Sequence, residues 1–186
     1  MIMGYKCFNA NLTNHYGFQF EVGKTYSVSG DIKAGTTGNG YHMCINMEDT
    51  FRFYGEMNEN IKICEVIGTG NMVRFSDEYN GYFDMYSVEH IEIVRVLSRE
   101  EIVEIGLSLG EMRVIRFISG FRLTPEEIEL FKEKYKFCPL VIKAIAYYQE
   151  GDKFVYQRGY TLKKELVERR IKHWQNKLLM LLCSWI

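Results

Sequence analysis

Among the side chains able to do chemistry, His42 and Cys44 come first, because they share one face of a short strand, Tyr41-His42-Met43-Cys44-Ile45. An imidazole beside a thiol can begin a zinc site, which needs three or four ligands converging at about 2.0–2.3 Å. It can also begin a nucleophile–base pair. Cys64 is the one further thiol placed to join them, on a neighbouring strand. Core packing accounts for these residues as well, since buried cysteines behave as small hydrophobes. No metal is expected. Glu65 is the most unusual carboxylate, because it lies in the apolar run Ile61-Lys62-Ile63-Cys64-Glu65-Val66-Ile67-Gly68. Burial there would raise its pKa and make it a candidate acid. Pairing with Arg95 or Lys62 would leave it structural. Glu89 and Glu92 fall on opposite faces of a later strand, Val88 to Leu97.

Two further segments carry charge or backbone donors. Gly30 to Gly40 holds Gly30, Gly35, Gly38 and Gly40. Its Gly35-Thr36-Thr37-Gly38-Asn39-Gly40 stretch has backbone N–H groups that can cradle a phosphate. It lacks the Gly-Lys-Ser/Thr of a P-loop and does not fit G-x-G-x-x-G, so a connecting loop is the expectation. Near the C-terminus Lys163, Lys164, Arg169, Arg170, Lys172, His173 and Lys177 lie beside Trp174, Leu178, Leu179, Leu181, Leu182 and Trp185. A basic amphipathic helix of this kind can touch a membrane surface or a partner groove. It can equally pack on its own domain with a solvated basic face.

Composition narrows the function classes. The chain has 186 residues, 47% of them hydrophobic and 25% charged, with a formal net charge of −1. That balance gives no strong nucleic-acid signal, since non-specific binding relies on excess Lys and Arg. The aromatic share of 15% is high and favours a packed core or an adhesive face. The 5 cysteines are odd in number and none has C-x-x-C spacing, which fits reduced thiols in a cytoplasmic protein. The N-terminus does not read as a signal peptide, and Leu178–Cys183 is too short to span a bilayer.

The elements that must position these residues divide at Leu97-Ser98. Residues 1–97 read as a strand-rich α+β domain, mostly antiparallel, with one or two short helices. Tyr5–Phe8 is a strand. Phe18, Phe20 and Val22 alternate with Gln19 and Glu21, which predicts a second strand forming a hairpin with Thr25-Tyr26-Ser27-Val28. Asn46 is placed to cap a helix from Met47 to about Tyr54, with Glu48 and Asp49 in its first turn. The strand at Ile61–Gly68 is apolar on both faces and expected to be central. Asp77 to Asp84 reads as a polar loop. Residues 98–186 read as a helical region packed on the sheet. Ser98-Arg99-Glu100-Glu101 and Thr124-Pro125-Glu126-Glu127 are capping boxes that open helices. Gly120 ends a helix around Met112–Ile118, Pro139 opens another, and a last helix is predicted over 161–182.

The strand motifs carry two resemblances. Tyr5-Lys6-Cys7-Phe8, Gly17-Phe18-Gln19-Phe20-Glu21-Val22-Gly23-Lys24-Thr25-Tyr26, Gly40-Tyr41-His42-Met43-Cys44 and Glu65-Val66-Ile67-Gly68 occur in that order. The set resembles uncharacterised proteins of giant DNA viruses of the mimivirus group, with N-terminal relatives in bacteriophages. The resemblance implies a viral protein of the host cytoplasm or the virion and no particular chemistry. The order of Gly40-Tyr41-His42-Met43, a helix with Phe51, Phe53 and Tyr54, then Cys64-Glu65-Val66-Ile67-Gly68 is similar to the middle of ADP-ribosyltransferase domains. That likeness implies Tyr41 on the nicotinamide side of an NAD site, with His42 beside it, and Glu89 as the late-strand glutamate. Lys6-Cys7-Phe8-Asn9 lacks the His-Gly or Arg that such enzymes use to hold NAD, and Glu89 is in no Asn-Glu or Glu-x-Glu setting. The expectation is a non-catalytic accessory or interaction protein with a protein partner and no cofactor. The alternative is a degenerate NAD-binding transferase fold.

Overall fold

The computed structural model describes residues 1–35, 38–53, 60–76 and 84–151. The strands are β1 (Ile2–Asn9), β2 (Thr25–Ser27), β3 (Tyr41–Cys44), β4 (Ile61–Ser76) and β5 (Asp84–Val96). A 3₁₀ helix, Met47–Phe53, lies between β3 and β4. Among the described residues four helices follow: α1 (Arg99–Ser108), α2 (Glu111–Gly120), α3 (Pro125–Lys134) and α4 (Pro139–Tyr148). Among the described residues every strand pairing is antiparallel. The expected α+β class, an antiparallel N-terminal sheet with C-terminal helices, is therefore the observed one. Among the described residues no helix is long and apolar enough to cross a membrane.

The sheet closes on itself. β4 and β3 each pair with both β1 and β5, so these strands run round a small ring. The closing contact between β1 and β3 is the single pair Tyr5↔Cys44. Closure depends on Gly4, because a Cβ there would stand 2.3 Å from the Cys44 carbonyl oxygen and 2.6 Å from Met43 Cε. Inside the ring pack Phe8, Phe20, Met43, Cys64, Val66, Val88, Ile91 and Ile93. Outside it a larger core joins Cys7 and Ile63 to Met47 and Phe51 and to the helices, through Leu97, Phe117, Phe131 and Ile145.

The helix starts follow from local chemistry. Ser98 Oγ accepts from the Glu101 N–H at 3.2 Å, and Glu101 returns a carboxylate to the Ser98 N–H at 2.8 Å. Thr124 and Glu127 repeat the arrangement at 3.3 and 2.7 Å. Such reciprocal bonds satisfy donors that a helix start otherwise leaves open.

Several expectations are corrected. Tyr16–Val22 forms no strand, and β2 pairs with β5, not with that segment. The Asn14 side chain accepts from the Tyr16 and Phe18 N–H groups at 3.0 and 2.9 Å, and Gly17 takes φ +79°. These local bonds compete with the ladder, leaving one bridge, Thr13↔Gln19. Phe20 is buried while Phe18 and Val22 stay exposed, so the alternation did not mark one buried face. β4 continues past Gly68 to Ser76 through a register shift between Thr69 and Met72, where Gly70 has φ +77°. Such a bulge needs glycine. β5 begins at Asp84, the end of the expected polar loop. The predicted α-helix at Met47 is 3₁₀, and Asn46 Nδ2 donates to the Asp49 carboxylate at 3.0 Å instead of supplying a cap oxygen. Glu48 and Asp49 are fully buried. Arg113 takes Glu48 through Nε and Nη2, and Arg116 Nη1 bonds Asp49, tying the 3₁₀ helix to α2. Tyr54, residues 77–83 and the helix predicted over 161–182 lie outside the described residues.

Candidate functional site

A cleft of about 530 Å³ opens where β1 and β3 meet. β1 contributes Tyr5, Lys6 and Cys7, and β3 contributes all four of its residues, Tyr41–Cys44. Asn14, His15 and Tyr16 of the irregular segment form one wall, with Phe20 behind them. Gly38 and Gly40 form another, and Thr50 and Phe53 of the 3₁₀ helix approach from the side. The segment that fails as a strand thus builds the site. His15 Nε2 lies 2.9 Å from the Phe53 carbonyl oxygen, bringing the wall to the 3₁₀ helix.

Lys6 is the electrostatic centre of the cleft. Its side chain is half-buried, and Nζ donates to the His42 carbonyl at 2.7 Å. Nζ also sits 5.8 Å from the centre of the Phe8 ring. Among the described residues no carboxylate pairs with it. Burial holds its pKa below the usual lysine range, and the neighbouring Cys44 and Cys7 act weakly in the opposite sense. Among the described residues no aspartate or glutamate lines the cleft.

The thiols are held as thiols. Burial pushes Cys7 up to about 12, partly opposed by its contact with Thr50. Cys64 is likewise pushed up to about 12 by burial, and Cys44 is raised by burial with Asp49 adding to the effect. Thiols so shifted are poor nucleophiles near neutral pH. His42 is held below its ordinary pKa, first by burial and then by Lys6, while the backbone at Gly35 acts the other way. Its Nε2 is buried without a hydrogen-bond partner among the described residues, as is Oγ of Ser87, its register partner on β5.

The structure brings Tyr41 and His42 together in the cleft with Cys44. Cys64 turns into the ring interior, and among the described residues no three His, Cys, Asp or Glu side chains are grouped to hold a metal. Glu65 is elsewhere, accepting from Arg95 Nε at 2.7 Å, and Arg95 also reaches Glu101. Glu89 is elsewhere too, accepting the Asn71 N–H at 2.8 Å beside the Gly70 bulge. Gly38 and Gly40 reach the cleft, but Gly38 N–H donates to the Gly35 carbonyl at 2.9 Å. That bond leaves this N–H unavailable as a phosphate donor. Sequence reasoning missed Lys6. Its signal was a lysine set between Tyr5 and Cys7-Phe8 in an otherwise apolar strand.

A family model, a domain of unknown function (DUF7666), matches residues 2–105, more than half of the 186-residue chain. The match spans the whole ring and the start of α1. No curated protein and no solved structure matches the chain.

Proposed function

The chain belongs to the DUF7666 family, and we propose that it is a non-catalytic binding protein that houses a small organic molecule in the cleft between β1 and β3. The observation that supports this reading most is Lys6: an ammonium with no carboxylate partner among the described residues, inside a cleft of about 530 Å³ with aromatic walls. Ligand sites are commonly 300–1,000 Å³ clefts with apolar linings and a few placed polar groups. Chemistry on the ligand is not part of the proposal. The cleft lacks an acid–base pair of carboxylates among the described residues, and its thiols are held protonated. A viral accessory role in the host cytoplasm or virion, with a protein partner, rests on the resemblance of the strand motifs. Exposed Tyr16 and Phe18 beside the cleft offer that partner an apolar contact.

NAD is the second ligand to consider, because Tyr41 lines the cleft as the transferase likeness requires. The position of Glu89 outside it favours a degenerate site over an active one. Thermal unfolding of the chain against NAD, nucleoside monophosphates, aromatic acids and aromatic amides tests both readings. A ligand at about 100 times its Kd adds ~2.7 kcal/mol. A shift that Tyr41→Ala abolishes supports the cleft. No shift with any probe at millimolar concentration overturns it.

A further inference from the structure

The geometry points to a ligand class: we propose that the cleft is selective for small aromatic oxyanions, with the carboxylate or phosphate head on Lys6 Nζ and the ring against Tyr41 and Phe20. This rests on the reading of the cleft as a ligand site and narrows it.

An ammonium has three N–H donors, and Lys6 spends one on the His42 carbonyl at 2.7 Å. That bond anchors Nζ to β3 and fixes its position in the cleft. A charge taken from water without a partner is costly, and an incoming oxyanion repays the cost as a charge-assisted hydrogen bond. The lining supplies no competing anion, since no carboxylate reaches the cleft among the described residues. A cationic ligand would meet the Lys6 charge unopposed. A neutral one would leave the ammonium unpaired.

The walls select the body of the ligand. Phe20 and Tyr41 meet edge to face, with ring centres 6.2 Å apart. Phe20 is fixed from behind by Phe8 and Tyr26, each 4.9 Å from it. Rings so held are rigid, and a rigid aromatic wall binds a planar ligand at low entropic cost. The apolar wall and the ammonium share one cleft, so a single molecule carrying a ring and an anionic head satisfies both.

The test compares benzoate, phenyl phosphate, inorganic phosphate and benzamide on the full chain. Binding is followed by amide chemical shifts of Lys6, His42 and Tyr41. The expected result is binding of benzoate or phenyl phosphate at least about tenfold tighter than benzamide, about 1.4 kcal/mol. The stronger of the two identifies the head group, and inorganic phosphate alone should bind weakly. Lys6→Met should erase the preference for the anion and leave the benzamide response in place. Lys6→Arg, which keeps the charge, should retain the preference and shows that a loss in Lys6→Met is not misfolding. Benzamide binding as well as benzoate would overturn the anion selectivity while leaving the cleft as a ligand site. No response to any probe would overturn the ligand site itself.

Discussion

Lys6→Met should stabilise the protein. Lysine and methionine have similar length, so the change removes the charge while keeping most of the packing. Desolvating an ammonium costs several kcal/mol even after relaxation. Two interactions offset that cost. The bond from Nζ to the His42 carbonyl, at 2.7 Å, contributes about 1.5–3 kcal/mol, as charged hydrogen bonds do. The Phe8 ring, 5.8 Å from Nζ, contributes about 0.5–1 kcal/mol. No carboxylate closes the balance among the described residues. The net gain on substitution is about 1–3 kcal/mol. For a chain of 186 residues this is a rise in Tm of roughly 5 °C, at about 2–4 °C per kcal/mol. Urea unfolding at neutral pH measures it, with the midpoint rising and the slope unchanged. A loss of more than about 1 kcal/mol would refute the reasoning, because the methionine only loses stability if Lys6 is adequately paired. A protein that gains stability when it loses a side chain is keeping that side chain for something else.

Gly4→Ala should cost at least ~3 kcal/mol, the upper part of the range for overpacking, because its Cβ meets the Cys44 backbone oxygen at 2.3 Å. Gly68→Ala should cost less, since its near neighbours are side-chain atoms, Val88 Cγ1 at 2.7 Å and Met43 Sδ at 2.8 Å; equal losses in urea would contradict a ring closed at Gly4. Arg113→Met should cost about 3–5 kcal/mol by stranding buried Glu48, and adding Glu48→Met should restore most of it; calorimetry of the single and double variants decides. For His42 the folded pKa lies below the ordinary value of about 6.5. As pH falls through that value the unfolded state takes up the proton first, so stability declines from there down to the lower folded pKa. His42→Gln should lose that part of the decline, and unchanged urea midpoints between pH 7.5 and 5.5 relative to wild type would count against it.

The legible parts of the fold were those encoded within a few residues. Ser98 with Glu101 and Thr124 with Glu127 are local arrangements, and both caps form as their spacing predicts. The apolar run Ile61–Gly68 is a strand because its pattern has no local competitor. The aromatic segment at Phe18–Val22 misled because Asn14 and Gly17 make a turn whose side-chain bonds outweigh alternation. Ring closure was invisible, since it depends on one pair, Tyr5↔Cys44, between strands far apart in the chain. Glu65 looked anomalous because its partner is set by register. Glu65 stands opposite Arg95 across β4 and β5, one of the two partners that the sequence offered, and the strand register rather than any local feature decides between Arg95 and Lys62. That Tyr41 and His42, which both line the candidate cleft, stand together on β3 was legible. Lys6 was not, because a strand lysine is ordinarily a solvated residue until the strand beyond it is known.

How the chain treats its other charges between elements sets Lys6 apart. Glu48 and Asp49 are fully buried, and each faces an arginine of α2. Glu65 sits against Arg95, which Glu101 also engages. Arg99 is held by Glu127. In each case the opposite charge comes from another element, so the pair fixes the packing of strand on strand or helix on helix. A lysine serving the same purpose on β1 would need a carboxylate from β3, the 3₁₀ helix or the Asn14–Phe20 wall. The nearest element offers a backbone carbonyl instead. That contact orients the ammonium without neutralising it, and it uses one of the three N–H donors. The ion pairs therefore explain how the ring and helices hold together, and they leave Lys6 without a matching carboxylate among the described residues, which is the charge that the proposed ligand would meet.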